Sequence, residues 1–398
     1  MPPPRRRTRA VLALGIALGV GTLVALPALR PEQLGLAARV YTTAGEAAVA
    51  GEAFYGATPA GLPGYRFVYP PVVMLAALPA GLLGSAAATF AVITILSLAA
   101  GLGIAVVVSR ELERAGTDLA RRDRWLVAGF CCLSAYAAPT LVNGQLNLVL
   151  GLGLAAGLVA ADRDQPTVGG AILAVPATVK LFPATVGLYL LRRRRWRAVT
   201  AAIATGVGLA VVGLLAFGTD ASLTYLTSVI PGEVQSGALA GDPLDHGFLT
   251  VRRQLAALVP VPPAWLPALA VAVVAPLVGL AYRRVDNRLD RWFAILALLV
   301  GTLLVLPLEG LYFPLLMFPL VPLLYRTPTG RPRTLLVAGT ALTLLGITPA
   351  TLDALSASGL PLAVTIVAVL EPVFRVILPG TIGMWLWLGA AIDWQFGA

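Results

Sequence analysis

Val168-Gly-Gly-Ala-Ile-Leu-Ala-Val-Pro-Ala-Thr-Val-Lys180-Leu-Phe-Pro-Ala-Thr-Val-Gly-Leu-Tyr-Leu-Leu191 runs straight into Arg192-Arg-Arg-Arg-Trp-Arg197. A bilayer-spanning helix needs about 20 mostly apolar residues, and Arg clusters mark the cytoplasmic ends of such helices. The same alternation recurs along the whole chain. Apolar segments lie at 11–29, 67–84, 86–109, 125–142, 145–161, 168–191, 199–217, 264–282, 292–308, 311–325, 334–352, 360–378 and 381–397. The pattern predicts an all-α polytopic integral membrane protein with about 12 transmembrane helices (range about 11–13). Residues 1–398 form one multi-pass membrane domain in this reading, with a cytoplasmic N-terminus.

Composition agrees. The 398 residues are 58% hydrophobic and only 12% charged, with a mean hydropathy of +0.85. Soluble proteins carry about 25% charged residues, so a water-soluble enzyme is excluded, as are a disordered chain and a coiled coil. Two cysteines exclude a disulfide scaffold, and adjacent Cys131 and Cys132 read as small core residues. A single histidine excludes zinc sites of the two-histidine type. The net charge of +10 is a topology signal, because no basic face with aromatic platforms suggests nucleic acid. Of the 29 basic residues, 28 are Arg; the exception is Lys180, inside an apolar segment.

Met1–Ala10 is basic and precedes Val11–Leu29, as in a signal peptide. The length of the run and the spans after it favour an uncleaved first span. If every segment crosses, the N-terminus, Arg192–Arg197, Arg283–Arg291 and Arg326–Arg333 are cytoplasmic, while 30–66 and 218–263 are long extracytoplasmic loops. That count places Arg110–Arg124 outside. The alternative makes 67–84 a re-entrant half-helix, which moves Arg110–Arg124 inside and requires a second non-crossing segment before Arg192. The simpler count is the expectation taken here. Loops this long are usually functional or disordered.

Ionisable or polar groups in or beside spans are the candidates for chemistry. Lys180, bracketed by Pro176 and Pro183, is suited to a lipid-linked phosphate. Glu46 and Glu52 in the first outer loop are candidate general bases. His246, beside Asp245 and near Asp242, is a third candidate, and Arg252 and Arg253 follow as phosphate ligands. Glu309 sits at the outer end of two segments. No metal-ligand spacing appears; the expectation is no metal and no cofactor.

Several segments in order resemble glycosyltransferase family 87. They are Val40-Tyr41 through Gly45-Glu46 to Gly51-Glu52-Ala-Phe-Tyr55, then Phe67-Val-Tyr69-Pro70-Pro71, then Asn143-Gly-Gln145-Leu-Asn147, then Gly169-Gly170 with Lys180-Leu-Phe-Pro183, leading to Arg192–Arg197. The resemblance covers about residues 30–200 well and the C-terminal half only through hydropathy. It implies a GT-C-like fold in the cell membrane and transfer of a sugar, mannose first, from a polyprenyl-phosphate donor on the extracytoplasmic side. The partners implied are the lipid-linked donor, a glycan, glycolipid or glycoprotein acceptor, and the bilayer, with no nucleic acid. It implies Glu46, Glu52 or His246 as the base, with Tyr41, Tyr69, Pro70, Asn143, Gln145, Lys180, Arg252, Arg253 and Glu309 around the substrates. The chain departs from the family near Ala37-Ala38, where members usually carry Asp, and where a His-Tyr pair is usual it has Leu311-Tyr312. The rival readings are a transporter or lipid flippase, and an inactive glycosyltransferase relative.

Overall fold

The computed structural model describes residues 5–235, 243–244, 247–306, 308–357 and 361–397, and among these the regular structure is helical, with no strand. In chain order the helices are α1 (Arg5–Leu29), α2 (Leu36–Val49), α3 (Pro71–Leu83), α4 (Ala86–Arg114), α5 (Arg121–Leu133), α6 (Ala138–Asn143), α7 (Asn147–Asp162), α8 (Pro166–Val179), α9 (Gly187–Arg192) and α10 (Trp196–Thr224). There follow α11 (Ile230–Gln235), α12 (Val251–Leu258), α13 (Leu266–Ala281), α14 (Arg288–Val305), α15 (Met317–Arg326), α16 (Arg331–Leu344), α17 (Pro349–Ala357), α18 (Pro361–Val376) and α19 (Pro379–Gly397). Among the described residues, four helical stretches are long and apolar enough to cross a bilayer, or up to six if each of two bent pairs counts as one span.

The chain forms two compact units. One comprises Met1–Thr22, Ala105–Ala137 and Ser236–Ala398; the other comprises Leu23–Ile104 and Ala138–Gln235.

In the first unit, buried Asp123 collects the chain's N-terminal turn. Arg9 donates Nε and Nη2 to its two carboxylate oxygens at 2.7 and 2.8 Å, and the Tyr325 hydroxyl donates at 3.2 Å. Arg333 donates to the Thr8 hydroxyl at 2.7 Å, and Arg326 donates to Thr117 at 3.4 Å. The segment Arg110–Arg124 therefore lies beside the N-terminal turn and Arg326–Arg333. This corrects the expectation that placed it on the opposite side. Three crossings between residue 9 and residue 123 would put them on opposite faces, so the simpler count does not fit this contact, and the re-entrant alternative needs one short segment among 11–29, 67–84 and 86–109. The short one is α3, whose 13 residues span about 20 Å, well under a bilayer core of about 30 Å.

The second unit holds the matching turn-back. The Tyr189 hydroxyl donates to Asp162 at 2.5 Å, and Arg195 donates to the Asp162 carbonyl at 3.1 Å. Both ends of the segment 168–191 thus meet at the end of α7, and the segment is a hairpin where one crossing was expected. Its outward leg is α8. Its return is a 3₁₀ turn (Phe182–Val186) followed by α9. Pro183 cannot donate to a continuing helix, and Lys180 has left helical geometry at φ −136°. Lys180 stands at the tip.

Small residues let these helices touch backbone to backbone, as in membrane interfaces generally. A Cβ on Gly45 of α2 would meet Ala77 O of α3 at 2.6 Å, and one on Gly213 of α10 would meet Val72 N at 2.7 Å. Gly169 and Gly170 bring α8 against Ala161 of α7 and Ala198 of α10.

Candidate functional site

The site lies wholly within the second unit. It begins with the turn between α6 and α7. Gly144 takes φ +69°, a left-handed conformation that glycine adopts without strain. The Gln145 amide then bonds back to the Thr140 carbonyl at 3.0 Å, and the Val142 carbonyl accepts from Gly35 at 2.8 Å. This turn sets Gln145 and Asn147 facing the hairpin tip. The Lys180 ammonium donates to Asn147 Oδ1 at 2.8 Å and to Gln145 Oε1 at 3.2 Å.

On the other side stands an aromatic wall. Tyr41 on α2 and Tyr69 before α3 share a hydroxyl–hydroxyl hydrogen bond of 3.3 Å. Tyr55 donates its hydroxyl to the Tyr69 carbonyl at 2.9 Å. Burial pushes the Tyr55 phenol up, so it stays protonated and keeps that bond at neutral pH. Phe54, Phe67, Phe217 and Tyr225 pack against these rings, with Phe54 meeting Phe67 and Phe217 edge to face. The first outer segment and the end of α10 are thereby joined.

Between tip and wall is a cleft of about 520 Å³. Its body is apolar, built from α3, α4 and α7 residues such as Val73, Ala80, Ile93, Leu96 and Leu152. Its polar lining is Tyr41, Tyr69, Thr89 and Lys180, and Lys180 is the one charged residue of the lining. A cleft of this kind can hold a long apolar chain ending in one anionic group. A second apolar cleft of about 590 Å³ lies across the wall, with Pro70 and Leu181 on that side.

Tyr41, Tyr69, Gln145 and Lys180 are therefore brought together. Pro70 faces the second cleft. Asn143 is buried and donates its amide to the Pro139 carbonyl at 3.0 Å, so it closes its own helix. Glu46 and Glu52 are exposed and line neither cleft. Arg252 and Arg253 belong to the first unit and are buried at the start of α12; Arg253 donates to the carbonyls of Leu244 and Phe374 at 3.0 and 3.1 Å. Glu309, also in the first unit, is exposed and precedes a 3₁₀ turn. His246, Asp245 and Asp242 lie outside the described residues. Among the described residues no group of three His, Cys, Asp or Glu is placed to hold a metal.

Asn147 and Thr140 were not among the sequence candidates. Asn147 stood within the Asn143–Asn147 motif, but residues two apart on a helix do not share a face, so the motif did not single it out. Tyr55 stood at the end of the first quoted motif, Phe217 at the end of the segment 199–217 and Tyr225 in the second outer loop, and none was a site candidate.

The sequence model of glycosyltransferase family 87 matches residues 67–307. A relative from Mycolicibacterium smegmatis, a polyprenol-phosphate-mannose-dependent alpha-(1-2)-phosphatidylinositol pentamannoside mannosyltransferase, is 28% identical over 287 residues, covering 71% of this chain and 67% of the relative. No solved structure matches the chain.

Proposed function

The chain belongs to glycosyltransferase family 87, and from that premise we propose that it transfers a hexose, mannose by preference, from a polyprenyl-phosphate donor to an acceptor on the extracytoplasmic side of the cell membrane. The observation that carries this reading is the cleft with one cation at the tip of a hairpin and an apolar body along α3, α4 and α7. A polyprenyl phosphate has the complementary form, one anionic group on a long hydrocarbon. The name of the mycobacterial relative supports the same donor and sugar. A glycan or glycolipid is the acceptor in this reading.

In the reaction the acceptor hydroxyl attacks the anomeric carbon, and the bond from that carbon to the phosphate oxygen breaks. The electron pair leaves with the lipid phosphate, whose growing charge the Lys180 ammonium stabilises. Charge that develops in a site of low dielectric is where a fixed cation contributes most. The acceptor proton passes to a carboxylate of the first outer segment. Glu52 is the proposed base, with Glu46 the second candidate. Glu52 lies two residues before Phe54, whose ring packs on Phe67, so its backbone is anchored to the aromatic wall.

The test is transfer in proteoliposomes from radiolabelled polyprenyl-phosphate mannose. Transfer that Lys180→Gln weakens through the donor KM supports the reading. Flipping of the lipid without transfer would replace it with a transporter, and lipid binding with no transfer from any donor would replace it with an inactive relative.

A further inference from the structure

Asn147 is fully buried as the first residue of α7, and the reaction above gives it no part. A buried amide is costly unless both its ends are satisfied. Here both are. Its oxygen accepts from Lys180 at 2.8 Å, while its nitrogen donates to Gln145 Oε1 at 3.3 Å and to the buried Thr140 hydroxyl at 3.4 Å. An ammonium has only donors, so the amide atoms facing it are oxygens, and the direction of the whole chain from Lys180 to Thr140 follows.

The choice of amides has an electrical consequence. A carboxylate at either position would hold the ammonium equally well but cancel its charge. An amide oxygen fixes the nitrogen in place and brings no negative charge of its own. We propose that Asn147, braced by Thr140 and acting together with Gln145, is a positioning residue that aims the Lys180 ammonium at a lipid phosphate without neutralising it. The inference rests on the reading of the cleft as a polyprenyl-phosphate site.

The two can be separated by equilibrium binding of two probes to the full-length protein in nanodiscs: farnesyl phosphate and farnesol, which share the chain and differ in the phosphate. Lys180→Gln tests the cleft. It is expected to weaken farnesyl phosphate about tenfold or more, a loss of about 1.4 kcal/mol, and to leave farnesol unchanged. Asn147→Asp tests the positioning. It keeps the shape and the oxygen that accepts from Lys180 but gives up the donations to Gln145 and Thr140; farnesyl phosphate weakens about tenfold while farnesol binding is unchanged. Gln145→Glu is expected to do the same. In a Lys180→Gln background the Asn147→Asp loss disappears, because the residue acts through the lysine.

Retained farnesyl phosphate affinity in Asn147→Asp and Gln145→Glu, with Lys180→Gln defective, overturns the positioning role alone. Equal losses for farnesol and farnesyl phosphate reduce Asn147 to a packing residue and also overturn it. Unchanged affinity in Lys180→Gln removes the phosphate site itself, and the inference with it.

Discussion

Replacing Gly45 by alanine adds one methyl group where α2 and α3 touch. The added Cβ would lie 2.6 Å from Ala77 O, 2.7 Å from Gly81 N and 3.1 Å from Gly81 Cα. All three are backbone atoms, so no side chain can rotate away. Restoring ordinary contact requires the two helices to part by about 0.7 Å. Tyr41 is one helical turn before Gly45, and Tyr69 enters α3 through Pro70. Their hydroxyls are already 3.3 Å apart, and a further 0.7 Å takes the pair beyond hydrogen-bonding distance. Two terms oppose each other in stability. Alanine is favoured over glycine within a helix by about 1 kcal/mol, and overpacking costs about 1–3 kcal/mol, so a net loss of about 1 kcal/mol is expected. Loss of the tyrosine pair should weaken farnesyl phosphate about fivefold, the equivalent of one neutral hydrogen bond. The control is Gly206→Ala on α10, which meets nothing within 4 Å. Binding and thermal unfolding in nanodiscs provide both readouts. If Gly45→Ala melts and binds like the parent while the control does too, the close contact of α2 with α3 does not position the wall.

Three further outcomes are expected. Glu52→Gln should abolish sugar transfer while leaving farnesyl phosphate affinity unchanged, because it removes only the proton acceptor; if transfer survives, Glu46→Gln becomes the test, and survival of both removes the two first-segment carboxylates from the mechanism. Asp123→Asn should destabilise by about 2 kcal/mol at neutral pH, a value below the range for buried pairs because Arg9 is 22% exposed. The hydrogen bond from Arg9 holds the Asp123 carboxyl below its ordinary value, so the stabilisation is complete above about pH 4 and is lost as pH falls through the folded-state value; the melting temperatures of parent and variant should converge in acid and differ at pH 7. Cysteine labelling should modify Ala57→Cys from outside and Arg194→Cys from the cytoplasm only, and a cysteine at Arg114 should behave like Arg194, whereas external labelling at Arg114 would restore the simpler count of spans.

The helical, membrane-embedded character was legible because hydropathy needs only local sequence. The two turn-backs were legible only as an alternative to the simpler count, and hydropathy could not choose between them. Averaged over 24 residues, 168–191 reads as one continuous span, and only Pro176, Lys180 and Pro183 hint that it folds on itself. What closes the hairpin is Tyr189 reaching Asp162, a contact across 27 residues that no window of hydropathy records. The side of Arg110–Arg124 depended in the same way on Arg9 meeting Asp123, 114 residues away. Much of the site was visible as motifs, since Tyr41, Tyr69, Gln145 and Lys180 do converge. Within Asn143–Asn147, however, the motif alone did not tell which amide faces inward. The turn at Gly144 sends Asn143 back to its own helix and Asn147 toward Lys180.

The disproportion between 28 Arg and one Lys also has a physical basis in the contacts. Arg195 donates to the last residue of α7, Arg253 to Phe374 near the end of α18, Arg284 to Trp394 and Gln395 near the end of α19, and Arg333 to Thr327 just past α15. Each meets carbonyls that a helix leaves without internal partners at its C-terminus, where the helix dipole also favours a cation. A planar guanidinium with five donors spans such groups of oxygens, and its charge is absorbed in closing the fold. At the hairpin tip the requirement is opposite. Two amide oxygens grip a compact ammonium and add no negative charge beside it. A guanidinium placed there would need further acceptors within an apolar cleft whose polar lining is two tyrosines and a threonine. In the proposed reading the exceptional lysine is thus the place in the second unit where a positive charge serves binding and the fold itself is closed by other groups.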